Sequence, residues 1–284
     1  MKEKVQTARL SIFSNSTLIL IKCVVGIFTN SVSIISEAIH SGIDLIASII
    51  AFFSVKVSDT PPDERHPYGH GKYENVSGVI EAVLIFIAAG WIIFEAIKKI
   101  SGHLPVESIG LGSLVMFISA TINTLVSKRL YKIAKRTDSI ALEADALHLK
   151  TDVYTSLGVG TGLLFIWFTK WYILDPVIAI SVALLILFES FTLLKNAYAP
   201  LLDEALSDDE IQIIKDVINT HSLGFHDLKT RKSGSFRFAD LHLEMIPDME
   251  LKKVHDLCDE IESQIKEKIK NMDINIHVEP IETK

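Results

Sequence analysis

Before residue 200 the chain is a succession of six apolar runs, at roughly 9–29, 32–55, 78–98, 110–130, 144–169 and 173–193. Each is close to the ~20 residues an α-helix needs to cross a hydrocarbon core. Lipid offers no water to a backbone amide, so such runs must satisfy their own hydrogen bonds, and a helix does this within one segment. The chain is 49% hydrophobic with a mean hydropathy of +0.34, more than a soluble protein of this size ordinarily carries. After Pro200 the apolar runs shorten and charge rises. The expected fold is an all-α six-helix transmembrane domain over 1–202, followed by a small soluble α+β domain over 203–284. Arg9 leads directly into a full-length span without a small-residue cleavage pattern, so no cleavable signal peptide is expected.

Charge sets the orientation. Lys2, Lys4 and Arg9 precede the first span; Lys56, Arg65 and Lys72 fill the second loop; Lys128, Arg129, Lys132, Lys135 and Arg136 fill the fourth. The alternate loops are poorer in Lys and Arg. By the positive-inside rule both termini are cytoplasmic, and the cell (inner) membrane is the expected location. The formal net charge of −7 lies in the tail, where 203–284 carry 11 basic against 19 acidic side chains. An acidic soluble domain disfavours nucleic acid as a partner. Cys23 lies in the first span and Cys258 in the tail, so no disulfide framework is expected.

Inside the second run stand His40 and Asp44, and inside the fifth His148 and Asp152. Spacing i, i+4 on a helix puts both side chains on one face, one turn apart. An ionisable residue at bilayer depth costs ~2.5–3.5 kcal/mol on insertion scales, so two such pairs call for a function. Two nitrogens and two oxygens from facing helices suit a tetrahedral Zn2+ site. The spans should run antiparallel, placing His40 level with Asp152 and Asp44 level with His148. Ser41, Gly42, Thr151, Thr155, Ser156 and Gly158 would let the helices approach closely. Lys22 and Glu37 fall at similar depth: a buried pair, or a snorkelling Lys22 with Glu37 near an interface. Glu81 reads as a packing or salt-bridge residue.

The second loop contains Asp63, His66 and His70 with glycines at 69 and 71, a spacing that can hold a metal with an open position. In the tail, a helix to about 220, strands near 226–232 and 236–245, a helix over 250–270 and a strand at 273–279 are expected. Alternation there sets Leu241, Leu243 and Met245 against Asp240, His242 and Glu244, and Ile274, Ile276 and Val278 against Asn275, His277 and Glu279. His242, His277 and Glu279 thus share the face away from the helices.

These motifs resemble the cation diffusion facilitator family of metal/proton antiporters. HPYGHGKYE is similar to that family's second intracellular loop, and IHSGIDLIA and EADALHLKTDVYTSLGV to its second and fifth helices. The resemblance covers nearly the whole chain. It implies that His40, Asp44, His148 and Asp152 are the transport site and that Asp63, His66 and His70 are the loop site. It implies a cytoplasmic ferredoxin-like αββαβ domain, a homodimer, and cytoplasmic metal positions at His226, His242, His255, His277 and Glu279. Some iron/zinc-exporting members have Asp where His40 stands; the His resembles zinc-preferring members.

The expected function is secondary active efflux of a divalent cation, Zn2+ before Cd2+, Co2+ or Fe2+, in exchange for protons, by alternating access. Ligands must release protons to bind metal, so the two compete for one site. No prosthetic group is expected; Zn2+ is substrate and regulatory ligand of the tail. No P-loop points to an ATP-driven pump, and no nucleophile–base pair points to an enzyme. A membrane-anchored metal sensor or a passive channel are the alternatives.

Overall fold

The computed structural model describes residues 2–29, 32–101, 109–169 and 174–281. It opens with six long helices: α1 (Lys2–Thr29), α2 (Val32–Ser58), α3 (Lys72–Ser101), α4 (Ile109–Thr137), α5 (Ile140–Thr169) and α6 (Leu174–Tyr198). They have 25 to 30 residues, and at ~1.5 Å per residue they measure about 38–45 Å. A hydrocarbon core is ~30 Å thick, so each helix overruns its apolar run. The overhangs are charged, as at Lys2–Lys4 of α1 and Lys128–Arg136 of α4. Among the described residues, Glu3–Val25 and Lys72–Lys98 are long and apolar enough to cross a bilayer by composition alone.

The helices form an inside-out pattern that a lipid solvent demands. Ile87, Trp91, Phe94, Phe188 and Phe191 are exposed, whereas Asn15, Ser48, Glu81, Asp145 and His148 are buried. The helices associate chiefly as α1 with α2, α3 with α6 and α4 with α5, and α5 also packs on α6, α3 and α2. One apolar cluster joins Ala8, Val55, Val126, Leu130, Ile133, Leu142 and Leu149; another joins Ala82, Ile85, Ala144, Ile186 and Leu193. α5 therefore lends a face to each. Gly78 lets α3 approach both α5 and α6: a Cβ there would stand 2.7 Å from Ile140 Cγ2 and 2.9 Å from the Ala197 Cβ. Further along α5, Lys150 donates to both carboxylate oxygens of Glu189 on α6, at 2.8 and 3.0 Å.

A buried charge cluster closes the end of the bundle where α1 begins. Lys4 Nζ donates to Glu74 Oε1 at 3.0 Å and to Asp59 Oδ1 at 3.2 Å. Ser58 Oγ donates to Glu74 Oε1 at 2.8 Å, and Ser139 Oγ to Glu74 Oε2. Glu74 is wholly buried and Lys4 nearly so. The starts of α1 and α3, the end of α2 and the α4–α5 turn are thereby tied to one carboxylate. Lys22 on α1 is also buried and donates to Ser41 Oγ at 2.7 Å. The side chain of Glu37, its other candidate partner, lies outside the described residues, as does His103.

The chain divides into two compact units at Tyr198/Ala199. The second unit has a short 3-10 turn (Ala199–Leu202), then α7 (Asp208–Thr220), β1 (Gly224–Ser233), β2 (Phe236–Met245), α8 (Leu251–Lys268) and β3 (Met272–Pro280). This is the αββαβ order. Ser207 caps α7 in a reciprocal box with Glu210, satisfying two otherwise orphan amides. β2 is central, antiparallel to β1 and parallel to β3. Leu241, Leu243 and Met245 pack with Ile214, Ile218, Ile261 and Ile265 of the two helices. The opposite sheet face is left to the polar residues that alternate with them. Cys23 and Cys258 are both free.

Candidate metal centres

The first centre lies within the helical unit. Asp44 of α2 and His148 and Asp152 of α5 offer one ligand atom each, all within 4.8 Å of one another. All three are buried. His148 Nε2 lies 3.1 Å from Asp44 Oδ1. One turn further along α2, Ser48 Oγ donates to Asp145 Oδ1 at 2.9 Å, and Asp145 is one turn earlier on α5 than His148. Moving forward on α2 therefore moves backward on α5: the helices run antiparallel. His40, one turn before Asp44, falls on the level of Asp152; its side chain lies outside the described residues. Two carboxylates and an imidazole give the mixed oxygen–nitrogen donor set that suits Zn2+ and its neighbours. His148 Nδ1 is buried without a hydrogen-bond partner.

The second centre is the loop between α2 and α3. Gly69 turns the chain at φ +81°, a conformation a side chain resists, and its N–H donates to the His66 carbonyl at 2.9 Å. That turn brings His66 Nδ1 to 3.4 Å from Asp63 Oδ1 and His70 Nε2 to 3.3 Å from Asp63 Oδ2. The two imidazole centroids are 4.5 Å apart. Asp63 also accepts the backbone N–H groups of His66 (2.7 Å) and Arg65 (2.9 Å). The His66 amide foremost holds the Asp63 carboxyl below its ordinary range, so it stays an anion. Three donors converge with one side open to solvent.

The third centre is on the free face of the sheet. Register sets His226 opposite His242, and His242 opposite His277. His242 Nδ1 is 2.9 Å from Glu279 Oε1, and His226 Nε2 is 3.2 Å from Glu279 Oε2. His277 Nε2 stands 3.6 Å from Glu279 Oε1. His226, His242 and Glu279 form the compact ligand set. His255 is not brought to it. It sits on the outer side of α8, across the sheet, 70% exposed, with Asp259 Oδ2 at 3.5 Å. A helix packed on the apolar sheet face cannot send a side chain through the sheet to the polar one.

Several polar residues stand beside these centres that the sequence reading did not assign to them. Glu244 lies 3.1 Å from His226 Nδ1; its alternation with His242 was the available signal. Asp227 reaches 3.9 Å from His242 Nε2 because a bulge between His226 and Lys229, with φ +50° at Asp227, turns it onto that face. No sequence pattern announces that bulge. Asp145 and Glu81 are wholly buried near His148; Asp145 precedes His148 by one turn, which was the signal for it.

The helical unit matches a family described as the cation efflux transmembrane domain over residues 8–202, and the remainder matches the cation efflux protein cytoplasmic domain over 206–281. An uncharacterized transporter, sll1263 of Synechocystis, is 35% identical over 257 residues, 89% of this chain and 83% of that one. The cation-efflux pump FieF of Escherichia fergusonii is 32% identical over 267 residues, 93% of this chain and 89% of that one. The FieF of Klebsiella pneumoniae subsp. pneumoniae is 32% identical over 268 residues, again 93% and 89%. A solved structure of CzrB in its zinc form, described as a candidate zinc transporter, is 36% identical, covering 29% of this chain and 98% of its own, with a TM-score of 0.26. The chain belongs to the cation efflux, or cation diffusion facilitator, family: it is a membrane cation transporter and not an enzyme.

Proposed function

We propose that this protein exports a divalent cation, Zn2+ foremost, from the cytoplasm in exchange for protons. The observation that carries the reading is the buried Asp44–His148–Asp152 centre, to which His40 would add a fourth donor from the same level of α2. Mixed nitrogen and oxygen donors favour Zn2+, Cd2+ or Co2+ over Mg2+ or Mn2+; Fe2+ fits the same ligands less well. Burial favours the neutral form of carboxyl and imidazole groups alike, and an arriving cation must displace whatever protons they hold. A site that opens alternately to each side then couples metal efflux to the inward proton gradient. The membrane is the cell (inner) membrane with both termini cytoplasmic. Residues 1–202 transport, and 203–284 bind cytoplasmic metal and pair two chains in a homodimer. Zn2+ at His226, His242 and Glu279 would draw the C-terminal units together and favour transport.

The test is reconstitution in liposomes loaded with a pH-sensitive dye. Wild type should carry Zn2+ down its gradient and move protons the other way; Asp152→Ala should abolish both. Zn2+ flux without proton movement would make the protein a channel, and binding without flux would make it a sensor.

A further inference from the structure

Beyond the three centres lies a pair of buried acids that none of them uses. Glu81 of α3 and Asp145 of α5 are both 0% exposed. Each is held by one oxygen only. Glu81 Oε1 accepts Ser77 Oγ at 3.2 Å, and Asp145 Oδ1 accepts Ser48 Oγ at 2.9 Å, with the Ser11 hydroxyl, 3.0 Å from Ser48 Oγ, also beside the Asp145 carboxyl. Their other oxygens, Glu81 Oε2 and Asp145 Oδ2, are buried without a hydrogen-bond partner among the described residues. The two carboxyl groups and the His148 imidazole are near enough to act electrostatically on one another. Two neighbouring acids with donor-free oxygens are costly in an apolar bundle and leave two acceptor atoms for a guest.

Their place along the bundle names the guest. Asp145 lies three residues before His148, about 4.5 Å along the helix axis, toward the end where α1 starts. A hydrogen-bonded path joins this level to the metal centre: Asn15 Nδ2 donates to Ser48 Oγ at 2.8 Å and lies 3.5 Å from the Asp44 carbonyl. Glu81 is two turns from Glu74 on the same face of α3, with Ser77 between them. The acids thus stand between the Lys4–Glu74 closure and the Asp44–His148–Asp152 centre.

We propose that Glu81 and Asp145, with the Ser48 hydroxyl, form a transit station for a divalent cation passing between the α1-start end of the bundle and the metal centre. An all-oxygen donor set without imidazole holds Zn2+ more weakly than the centre does. That ranking suits an intermediate stop, since conduction needs sites that attract an ion yet release it. The proposal rests on the efflux reading above and deepens it.

The test uses full-length protein in liposomes and the nearly isosteric, uncharged Glu81→Gln, Asp145→Asn and double variants. The double variant should raise KM for Zn2+ entering from the α1-start side at least about tenfold. Its equilibrium Zn2+ affinity at the Asp44–His148–Asp152 centre should stay within a few-fold of wild type by calorimetry, on a background lacking the loop and sheet ligands. Unchanged kinetics would overturn the station. So would a parallel loss of affinity and flux, which marks structural support, or loss of proton coupling at unchanged KM, which marks a proton carrier. A second measurement does not depend on flux or on the double variant folding. Mn2+ at millimolar concentration should occupy a weak extra position in the same background, seen by electron paramagnetic resonance, and Glu81→Gln should remove it; no such position would refute the proposal. Failure of Zn2+ flux in wild type itself would instead sink the efflux reading and leave the Mn2+ result to judge the station.

Discussion

Replacing Glu74 with Ala should destabilise the helical unit more than any other single change at its α1-start end. Glu74 is 0% exposed and accepts from Lys4, Ser58 and Ser139. Its removal leaves the Lys4 ammonium, 5% exposed, with Asp59 at 3.2 Å as its remaining described acceptor. Breaking a buried ion pair from one side costs about 3–5 kcal/mol. Each hydroxyl left without an acceptor adds ~1 kcal/mol, and relaxation toward Asp59 offsets a similar amount, so about 3–5 kcal/mol is the expected total. At ~2–4 °C per kcal/mol for a unit of this size, the melting temperature should fall by roughly 10 °C. Glu74→Gln keeps an acceptor for the hydroxyls and should cost about half as much. Removing both charges, Lys4→Met with Glu74→Leu, should recover part of the loss, because the Lys4 ammonium is no longer stranded while Asp59, its side chain 13% exposed, loses that ammonium as a partner. The assay is reversible unfolding of the purified protein in mixed micelles, read as a double-mutant cycle. A Glu74→Ala protein within ~1 kcal/mol of wild type, or a double variant as unstable as the sum of the singles, would refute the reasoning.

Three further outcomes follow from the other sites. Glu279→Gln should weaken metal binding by the C-terminal unit at least about tenfold in a titration, whereas His255→Ala should leave binding within one chain unchanged, since His255 faces the other way. Gly69→Val should strain a backbone held at φ +81° by ~1–2 kcal/mol and lower loop metal affinity several-fold without touching binding at the Asp44–His148–Asp152 centre, as separate titrations would show. In the C-terminal unit, burial pushes the Glu210 carboxyl up, but the Arg237 guanidinium, with Nε 2.5 Å from Oε1, outweighs it and holds the carboxyl below its ordinary range. The folded value lies below the unfolded one, so this stabilisation is full above the ordinary glutamate range and is lost as pH falls through the folded value. Arg237→Met should flatten that acid limb, by ~1 kcal/mol or less for a partly solvated pair, in pH-resolved hydrogen exchange of the C-terminal amides.

What the sequence made legible was whatever a single helix or strand encodes. Apolar runs announced the helices, and i, i+4 spacing paired His148 with Asp152. Alternation along β2 and β3 separated Leu241 and Leu243 from His242, and Ile274 from His277. The charged overhangs were illegible as helix, because a hydropathy reading stops where the bilayer does while the backbone hydrogen bonds of α1 and α3 continue. Partnerships between helices were also out of reach. Glu81 read as a packing or salt-bridge residue, since Asp145 comes to it from another helix, and Lys4 read as an orientation signal while it is the buried partner of Glu74. His255 was carried over from a resemblance, and resemblance says nothing about which side of a sheet a helix covers.

The aligned imidazoles of β1, β2 and β3 have a consequence for selectivity. Adjacent strands are held ~4.8 Å apart by their backbone bonds, and the ring centroids of His226, His242 and His277 follow with spacings of 5.2 and 4.8 Å. A guest ion there meets a comb whose pitch is set by amide geometry and cannot stretch to suit a larger radius. Adjustment must come from the flexible acids, Glu244 and Glu279, which end the same rung of neighbouring strands. Shortening either by one methylene should therefore change which ion radius is preferred, while trading the histidines for oxygen donors should shift the preference away from Zn2+ toward harder cations.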